Sequence, residues 1–306
     1  MTNLPRVDIV ILNYNAADDT VACVHSVENI SYPNYEIVLV DNCSSDHSVQ
    51  RLTAEFPDVV LLVSDHNWGY ADGNNQGISY ALNHGAAYVC LLNNDVIVEP
   101  NFLEPLVALL EDDDGIGVAG PCICEYQDRS VVQAMGANIN LYTGLAQGKY
   151  KGTRYSRLEH RVLPVDYLGG ACFIARAAVF KQVGLIPANY FLFYEETEFC
   201  LNVKRYGYKL VCLGRSRVYH KRSATIARFS GLSYFFLNRN RIVFMRRNAN
   251  FFQKLVFTLY VMLEGILRLL LRGESTDLFR FYLAGLKADL NAIDFAQVTR
   301  FVNPNS

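Results

Sequence analysis

Three stretches of the chain carry residue types and spacings that suit chemistry. In Tyr88-Val89-Cys90-Leu91-Leu92-Asn93-Asn94-Asp95 five apolar residues stop abruptly at two amides and a carboxylate. The run reads as a strand buried on both faces, and ligands of open α/β sheets collect at the carboxyl ends of such strands. Asp95 is therefore a candidate ligand group, although Asn and Asp also suit a plain turn. In Phe191-Leu192-Phe193-Tyr194-Glu195-Glu196-Thr197-Glu198 three carboxylates fall within four positions after an aromatic run. Acids at a helix start favour the helix dipole, but like charges near apolar rings also raise a carboxylate's pKa, as a general base requires. The third stretch, Asp41-Asn42-Cys43-Ser44-Ser45-Asp46, follows a strand-like run. Asp41 there has two readings, an acceptor for ribose hydroxyls or a base N–H, and a cap for the next helix.

The elements that must position these groups alternate. Apolar runs at Val7 to Leu12, Glu36 to Val40 and Val59 to Val63 read as strands, with helical periodicity after Ala16 and through Val49, Leu52 and Phe56. Strand, helix, strand, helix is the pattern of a mainly parallel sheet. Asn67 to Gly77 holds three glycines among amides and aromatics, which reads as a loop where backbone approaches a ligand; its spacing fits neither a Walker loop nor a dinucleotide fingerprint. Further strands are expected at Ile116 to Pro121, around Cys172 to Arg176, and at Lys209 to Leu213, with a lobe of hairpins and loops from Glu125 to His160. Gly169-Gly170 marks a place where backbone packs closely on something.

Composition bounds the class. An apolar share of 51% and a charged share of 19% exclude a mostly disordered chain. Eight scattered cysteines lack the paired spacing of a zinc site, and no apolar leader opens the sequence, so reduced, buried thiols in a cytoplasmic protein are expected. The net charge of −2 hides an asymmetry: residues 1–125 sum to −17 and residues 204–272 to +14. An acidic half binding a phosphorylated ligand needs a cation, whereas the basic segment suits an anionic membrane surface. Nucleic acid is not expected, because those basic residues are interleaved with core-like aromatics.

From about Val7 to Asn248 these stretches, in order, resemble the family 2 glycosyltransferases with a GT-A fold, in particular the bacterial rhamnosyltransferase-like members. Ile37 to Ser48 and Asn67 to Gly77 look like the family's nucleotide-binding strand and Gly/Asn-rich segment. Asn93-Asn94-Asp95 falls at its Asp-x-Asp position, Tyr194 to Cys200 at its catalytic-base motif, and Val218 to Thr225 and Arg239-Asn240 at its later His and Arg-Asn motifs. The resemblance implies Tyr14, Asp41, Asn74 and Asn94 at a nucleoside-diphosphate sugar linked to UDP or dTDP. It implies Asp95 at Mg²⁺ or Mn²⁺ and Glu196 as the base of an inverting transfer; His220 would then complete the metal shell or contact phosphate. Gly170, Glu195, Glu198 and Arg239 are then expected on the acceptor side. Two positions depart from the family pattern: Asn93 replaces the first acid of Asp-x-Asp, and Glu196 stands where Asp is usual, one methylene further out.

The expected organisation is a nucleotide-sugar-binding half over residues 1–125, an acceptor-binding and catalytic half of the same GT-A domain over 126–225, and a basic, amphipathic helical segment over 226–306. Leu255 to Leu271 is short of the ~20 residues needed to span a bilayer. Lys254, Thr258, Gly265, Arg268 and Arg272 fall near one side of a helix, opposite a broad apolar face. With Arg239, Arg241, Arg246 and Arg247 before it, this reads as an interfacial helix on the inner face of the cell membrane, where a glycan or lipid-linked acceptor would be met; an internal helix or a homodimer contact is the alternative. Two rival functions remain from sequence. A nucleotidyltransferase needs a basic Gly-rich loop near its N-terminus, which residues 1–50 lack. A non-catalytic nucleotide-sugar-binding or scaffold protein would accommodate both Asn93 and Glu196.

Overall fold

The computed structural model describes residues 4–221 and 230–293. The chain begins as β1 (Val7–Asn13), α1 (Ala17–Glu28), β2 (Tyr35–Asp41), α2 (Ser48–Glu55), β3 (Val60–Val63), α3 (Gly69–Asn83) and β4 (Tyr88–Asn93). It continues through β5 (Val96–Val98), α4 (Glu104–Asp112), β6 (Ile116–Glu125) and three short strands, β7 (Val132–Ala134), β8 (Ala137–Asn140) and β9 (Leu145–Gly148). Then follow β10 (Val162–Val165), β11 (Cys172–Arg176), α5 (Ala177–Val183), α6 (Glu195–Arg205), β12 (Lys209–His220) and the helices α7 (Ser230–Asn248), α8 (Phe251–Arg272) and α9 (Asp277–Lys287).

One sheet runs β10-β12-β6-β11-β4-β1-β2-β3. The pairs β4/β1, β1/β2 and β2/β3 are parallel, and β11 enters antiparallel between β4 and β6. The central strands are buried on both faces, as their unbroken apolar runs demand: Ile9, Ile11, Cys90 and Leu92 join one core with α1 and α4, while Val10, Val89 and Leu91 join another with α3 and α6. Their polar ends come into register, with Asn13 opposite Asp41 and Leu12 opposite Asn93.

Two expectations change here. The Gly/Asn-rich stretch is helix, not loop: α3 starts at Gly69. A methyl on Gly73 would lie 2.6 Å from Leu12 and one on Gly77 2.3 Å from Val10, so these two glycines let α3 lie directly on the sheet. Close packing thus outweighs the poor helix propensity of glycine. The strand expected to end at Leu213 instead runs on to His220, crossing a register shift between Leu213 and Arg217.

The C-terminal helices depart from expectation in charge. Arg239 and Arg241 are each only 3% exposed. Arg241 pairs with Glu264 (2.7 Å), Arg246 donates to the Gly285 and Ala288 carbonyls (2.8 Å each), and Arg247 pairs with Glu198 (2.8 Å). These cations bind the chain to itself rather than presenting a basic face. Helix α8 lies apolar side out: Phe251 is 86% and Leu271 78% exposed, with Leu255, Leu259, Leu263 and Leu270 also exposed. Its inward side combines the buried Phe257 and Val261 with Gly265 against Phe279 and Tyr282 and Arg268 against Glu274 (2.7 Å), while Lys254 and Thr258 of the expected polar stripe are exposed. An apolar groove of about 490 Å³ lies between α7, α8 and α9, lined by Ile242, Met245, Phe257, Val261 and Leu283 with Lys254 among its lining residues. Among the described residues no helix is long and apolar enough to cross a membrane.

Candidate active site

Glu196 sits in the first turn of α6, in a niche made by a missing side chain. A methyl on Gly170 would stand 1.8 Å from Glu196 Oε1 and 2.5 Å from the Tyr70 hydroxyl. The carboxylate therefore occupies the room that a Cβ at position 170 would take, and this accommodates the extra methylene of Glu. Tyr70 donates to the Gly170 carbonyl at 3.1 Å and also faces the carboxylate. Burial lifts the pKa of Glu196 from 4.5 to about 7, with the Tyr70 hydroxyl opposing the rise. A carboxylate poised near neutrality has the proton affinity that a general base needs.

The neighbouring acids do other work. Glu195 is buried, and desolvation together with the adjacent Glu196 holds its carboxyl well above the usual range; at 1% exposure it is not open to an acceptor. Glu198 accepts from Arg247 Nε (2.9 Å), from Asn248 Nδ2 (2.8 Å) and from the Tyr190 hydroxyl. It braces α6 against the end of α7, which leaves it no free face for an acceptor. Arg239 is likewise internal, donating to Asn240 Oδ1 at 2.6 Å.

A second group of polar residues gathers at the ends of β1, β2 and β4. Asp41 is fully buried; it accepts from Asn13 Nδ2 (2.7 Å), Ser44 N (2.8 Å) and Ser44 Oγ (2.6 Å). It shapes the loop after β2, and the backbone N–H of Ser48 at the start of α2 is taken by Asp46 instead (2.9 Å). Asn13 Oδ1 accepts from Thr20, whose hydroxyl accepts from Asn94 Nδ2 at 2.9 Å. One chain of hydrogen bonds thus joins Asp41 to the Asn94-Asp95 turn. Asn13 and Thr20 were not singled out in the sequence, although Asn13 closes a buried strand as Asp41 does. Tyr14 follows Asn13 half-buried, and Asn74, buried in α3, donates to the Tyr70 carbonyl at 2.9 Å.

Asp95 and His220 meet because β12 runs on far enough to pair with β5, placing His220 opposite Val96. Their Nε2 and Oδ1 atoms are 3.1 Å apart. Gln133 Nε2 donates to Glu125 (3.1 Å), which turns its Oε1 towards His220 Nδ1 (2.7 Å) and places a ring proton on Nδ1. Between Nε2 and the Asp95 carboxylate there is room for a second ring proton or for a shared cation. An imidazole nitrogen and a carboxylate oxygen this close suit a hard cation such as Mg²⁺ or Mn²⁺ as well as a direct hydrogen bond, and Gln133 would supply the outer hydrogen bond that metal-bound imidazoles use. Among the described residues no three His, Cys, Asp or Glu side chains converge, which leaves most positions around such an ion to phosphate oxygens and water. Lys221 is paired with Asp19 (2.9 Å), and the later part of the His motif, Arg222 to Thr225, lies outside the described residues.

The two groups are neighbours. Asn93 N donates to the Ala171 carbonyl at 3.0 Å, linking the strand before Asp95 to the residue after Gly170. The buried Glu196 carboxylate and the Asp95–His220 pair therefore share one end of the sheet.

The chain resembles known proteins in sequence and in fold. In sequence the chain is 28% identical to a hexosyltransferase of low-salt glycan biosynthesis, Agl10 of Haloferax volcanii, over 67% of this chain and 63% of that protein, so it spans less than two thirds of that relative. It is 26% identical to the N-acetylglucosaminyl-diphospho-decaprenol L-rhamnosyltransferase of Mycobacterium tuberculosis, over 63% of this chain and 68% of that one. In structure it superposes over its whole length on 58% of GalNAc-T7, crystallised with UDP, GalNAc and Mn²⁺, at a TM-score of 0.67 and 19% identity, which gives the GT-A fold. Residues 8–184, more than half the chain, match the description Glycosyl transferase family 2, and with the fold and site in agreement the chain belongs to that family.

Proposed function

We propose that the protein is an inverting glycosyltransferase acting on a UDP- or dTDP-linked sugar and an acceptor hydroxyl in cell-surface glycan synthesis. The observation that carries this reading is the buried Glu196 carboxylate seated over Gly170 beside the Asp95–His220 pair. Glu196 takes the proton of the acceptor hydroxyl as that oxygen bonds to the anomeric carbon, and the bond from that carbon to the diphosphate breaks with inversion. Asp41, Tyr14, Asn74 and Asn94 shape and line the nucleotide side. Asp95 and His220 would hold Mg²⁺ or Mn²⁺, which when bound offsets charge on the leaving diphosphate. Nucleoside-diphosphate release from a panel of donors should require Mn²⁺ or Mg²⁺ and fall at least a hundredfold in Asp95→Asn. Undiminished release in the presence of a chelator would remove the metal from this reading, and release from no donor would favour the scaffold alternative.

The acceptor is proposed to be lipid-linked and met at the inner face of the cell membrane. Support comes from the outward apolar face of α8 and from the decaprenol-linked substrate in the name of the mycobacterial relative. Because the arginines of α7 are engaged internally, apolar burial rather than charge would hold the protein to lipid. Co-sedimentation with liposomes should therefore persist at high salt. A sharp loss in salt, or a stable dimer that no longer sediments with lipid, would refute this contact.

A further inference from the structure

The segment that delivers Glu196 is strained, and something must hold it. Phe191, Phe193 and Tyr194 have φ of 69°, 68° and 79°. Bulky side chains rarely adopt such values, and three within four positions persist only where the surroundings over-determine them. All four carbonyls of residues 190–193 are accounted for. Phe191 O accepts from Tyr70 N at 2.8 Å, and the other three share the two N–H protons of one side chain, one of them bifurcated: Asn240 Nδ2 lies 3.0 Å from Tyr190 O, 2.8 Å from Leu192 O and 3.0 Å from Phe193 O.

The orientation of that amide is not ambiguous. Reversing it would set Oδ1 against three carbonyl oxygens, and Arg239 donates to Oδ1 at 2.6 Å from the other side. Donation from a guanidinium polarises the amide and strengthens its N–H donors. Asn240 itself is fully buried on α7, beyond the part of the chain that matches the family description.

We propose that Asn240 is a positioning residue for the catalytic base: its amide, oriented by Arg239, pins the Phe191–Tyr194 turn and so keeps the Glu196 carboxylate seated over Gly170 and shielded from water. The proposal rests on the reading of Glu196 as base. Among the described residues the titratable groups facing Glu196 are Tyr70 from α3, Tyr167 from the segment before β11, and Glu195 and Cys200 from α6 itself. None of them lies on α7. Loss of the Asn240 amide therefore leaves those neighbours in place and frees only the turn, which opens the niche to water and lowers the affinity of Glu196 for its proton.

The test is the pH dependence of transfer by the full chain carrying Asn240→Ala. Turnover is expected to fall about thirtyfold or more, with KM for the donor within about threefold of the parent. The acid limb of kcat/KM, expected near pH 7 in the parent, should move down by about one unit. Asn240→Gln, which keeps the amide one methylene away, should recover part of the turnover and part of the limb. Near-normal turnover, or a loss of turnover with the acid limb unmoved, overturns the proposal. Should Asn240→Ala fail to fold, Asn240→Gln alone decides the question: an acid limb identical to the parent's refutes positioning. Glu196→Gln separates the two layers, because normal turnover in that variant sinks the base itself, whereas an inactive Glu196→Gln beside an unaffected Asn240→Ala sinks only the clamp.

Discussion

Glu196→Gln is expected to abolish transfer while nucleotide binding stays intact. General-base catalysis is worth about 10²–10⁴ in rate, and Gln keeps the volume and the contact with Gly170 while losing the proton acceptor. Turnover should therefore drop by about a thousandfold, with the dissociation constant for the nucleoside diphosphate within a few fold of the parent. Near-normal turnover would end the role assigned to Glu196. In the parent, activity should fall about tenfold per pH unit below about 7, where burial keeps the carboxyl protonated. The same burial gives the variant a stability signature. Below pH 4.5 the side chain is protonated both folded and unfolded; between 4.5 and about 7 the unfolded chain gives up its proton and the folded chain does not. Stability in the parent is thus lost as pH rises through that window, by up to about 3 kcal/mol, and Gln escapes the loss. Denaturation of the two proteins at pH 4 and pH 8 should show an advantage for Glu196→Gln only at the higher pH.

Glu198→Ala is expected to damage the fold more than any other change in this region. It strips Arg247, Asn248 and the buried Tyr190 hydroxyl of their shared acceptor at once. Removing one partner of a buried pair costs about 3–5 kcal/mol, and the partial exposure of Arg247 places this case near the lower end. The urea midpoint should fall accordingly, and turnover should fall with it, because the brace and the Asn240 amide hold the two ends of one segment. A midpoint unchanged from the parent would mean that Glu198 is free for other work, as the sequence had suggested.

Much of the N-terminal half was legible because its signals are local. Apolar runs that end in Asn13, Asp41 and Asn93 announce strands whose polar ends come together, and Glu195 to Glu198 announce a helix start beside aromatic rings. What stayed hidden depends on contacts between distant residues. Nothing near Asn240 says that its amide will meet carbonyls fifty positions earlier. The arginines of α7 looked like a surface patch because charge is normally exposed, and only tertiary partners such as Glu264 and the Gly285 carbonyl reverse that. Gly214-Arg215-Ser216-Arg217 looked like the end of a strand, yet β12 absorbs it as an irregularity and so carries His220 to Asp95. The glycines of α3 suggested a phosphate cradle because their fit against Leu12 and Val10 is invisible in one dimension.

The contact between Gly170 and Glu196 ties two positions 26 residues apart into one size-matched pair. With Glu at 196, even alanine at 170 collides with the carboxylate. With the shorter Asp that collision is relieved, but the Tyr70 hydroxyl still lies 2.5 Å from a Cβ at 170, so a side chain there needs room from both neighbours. Related chains with a side chain at 170 should therefore differ at both 70 and 196, and the residue facing position 196 becomes a marker of how far its carboxylate reaches.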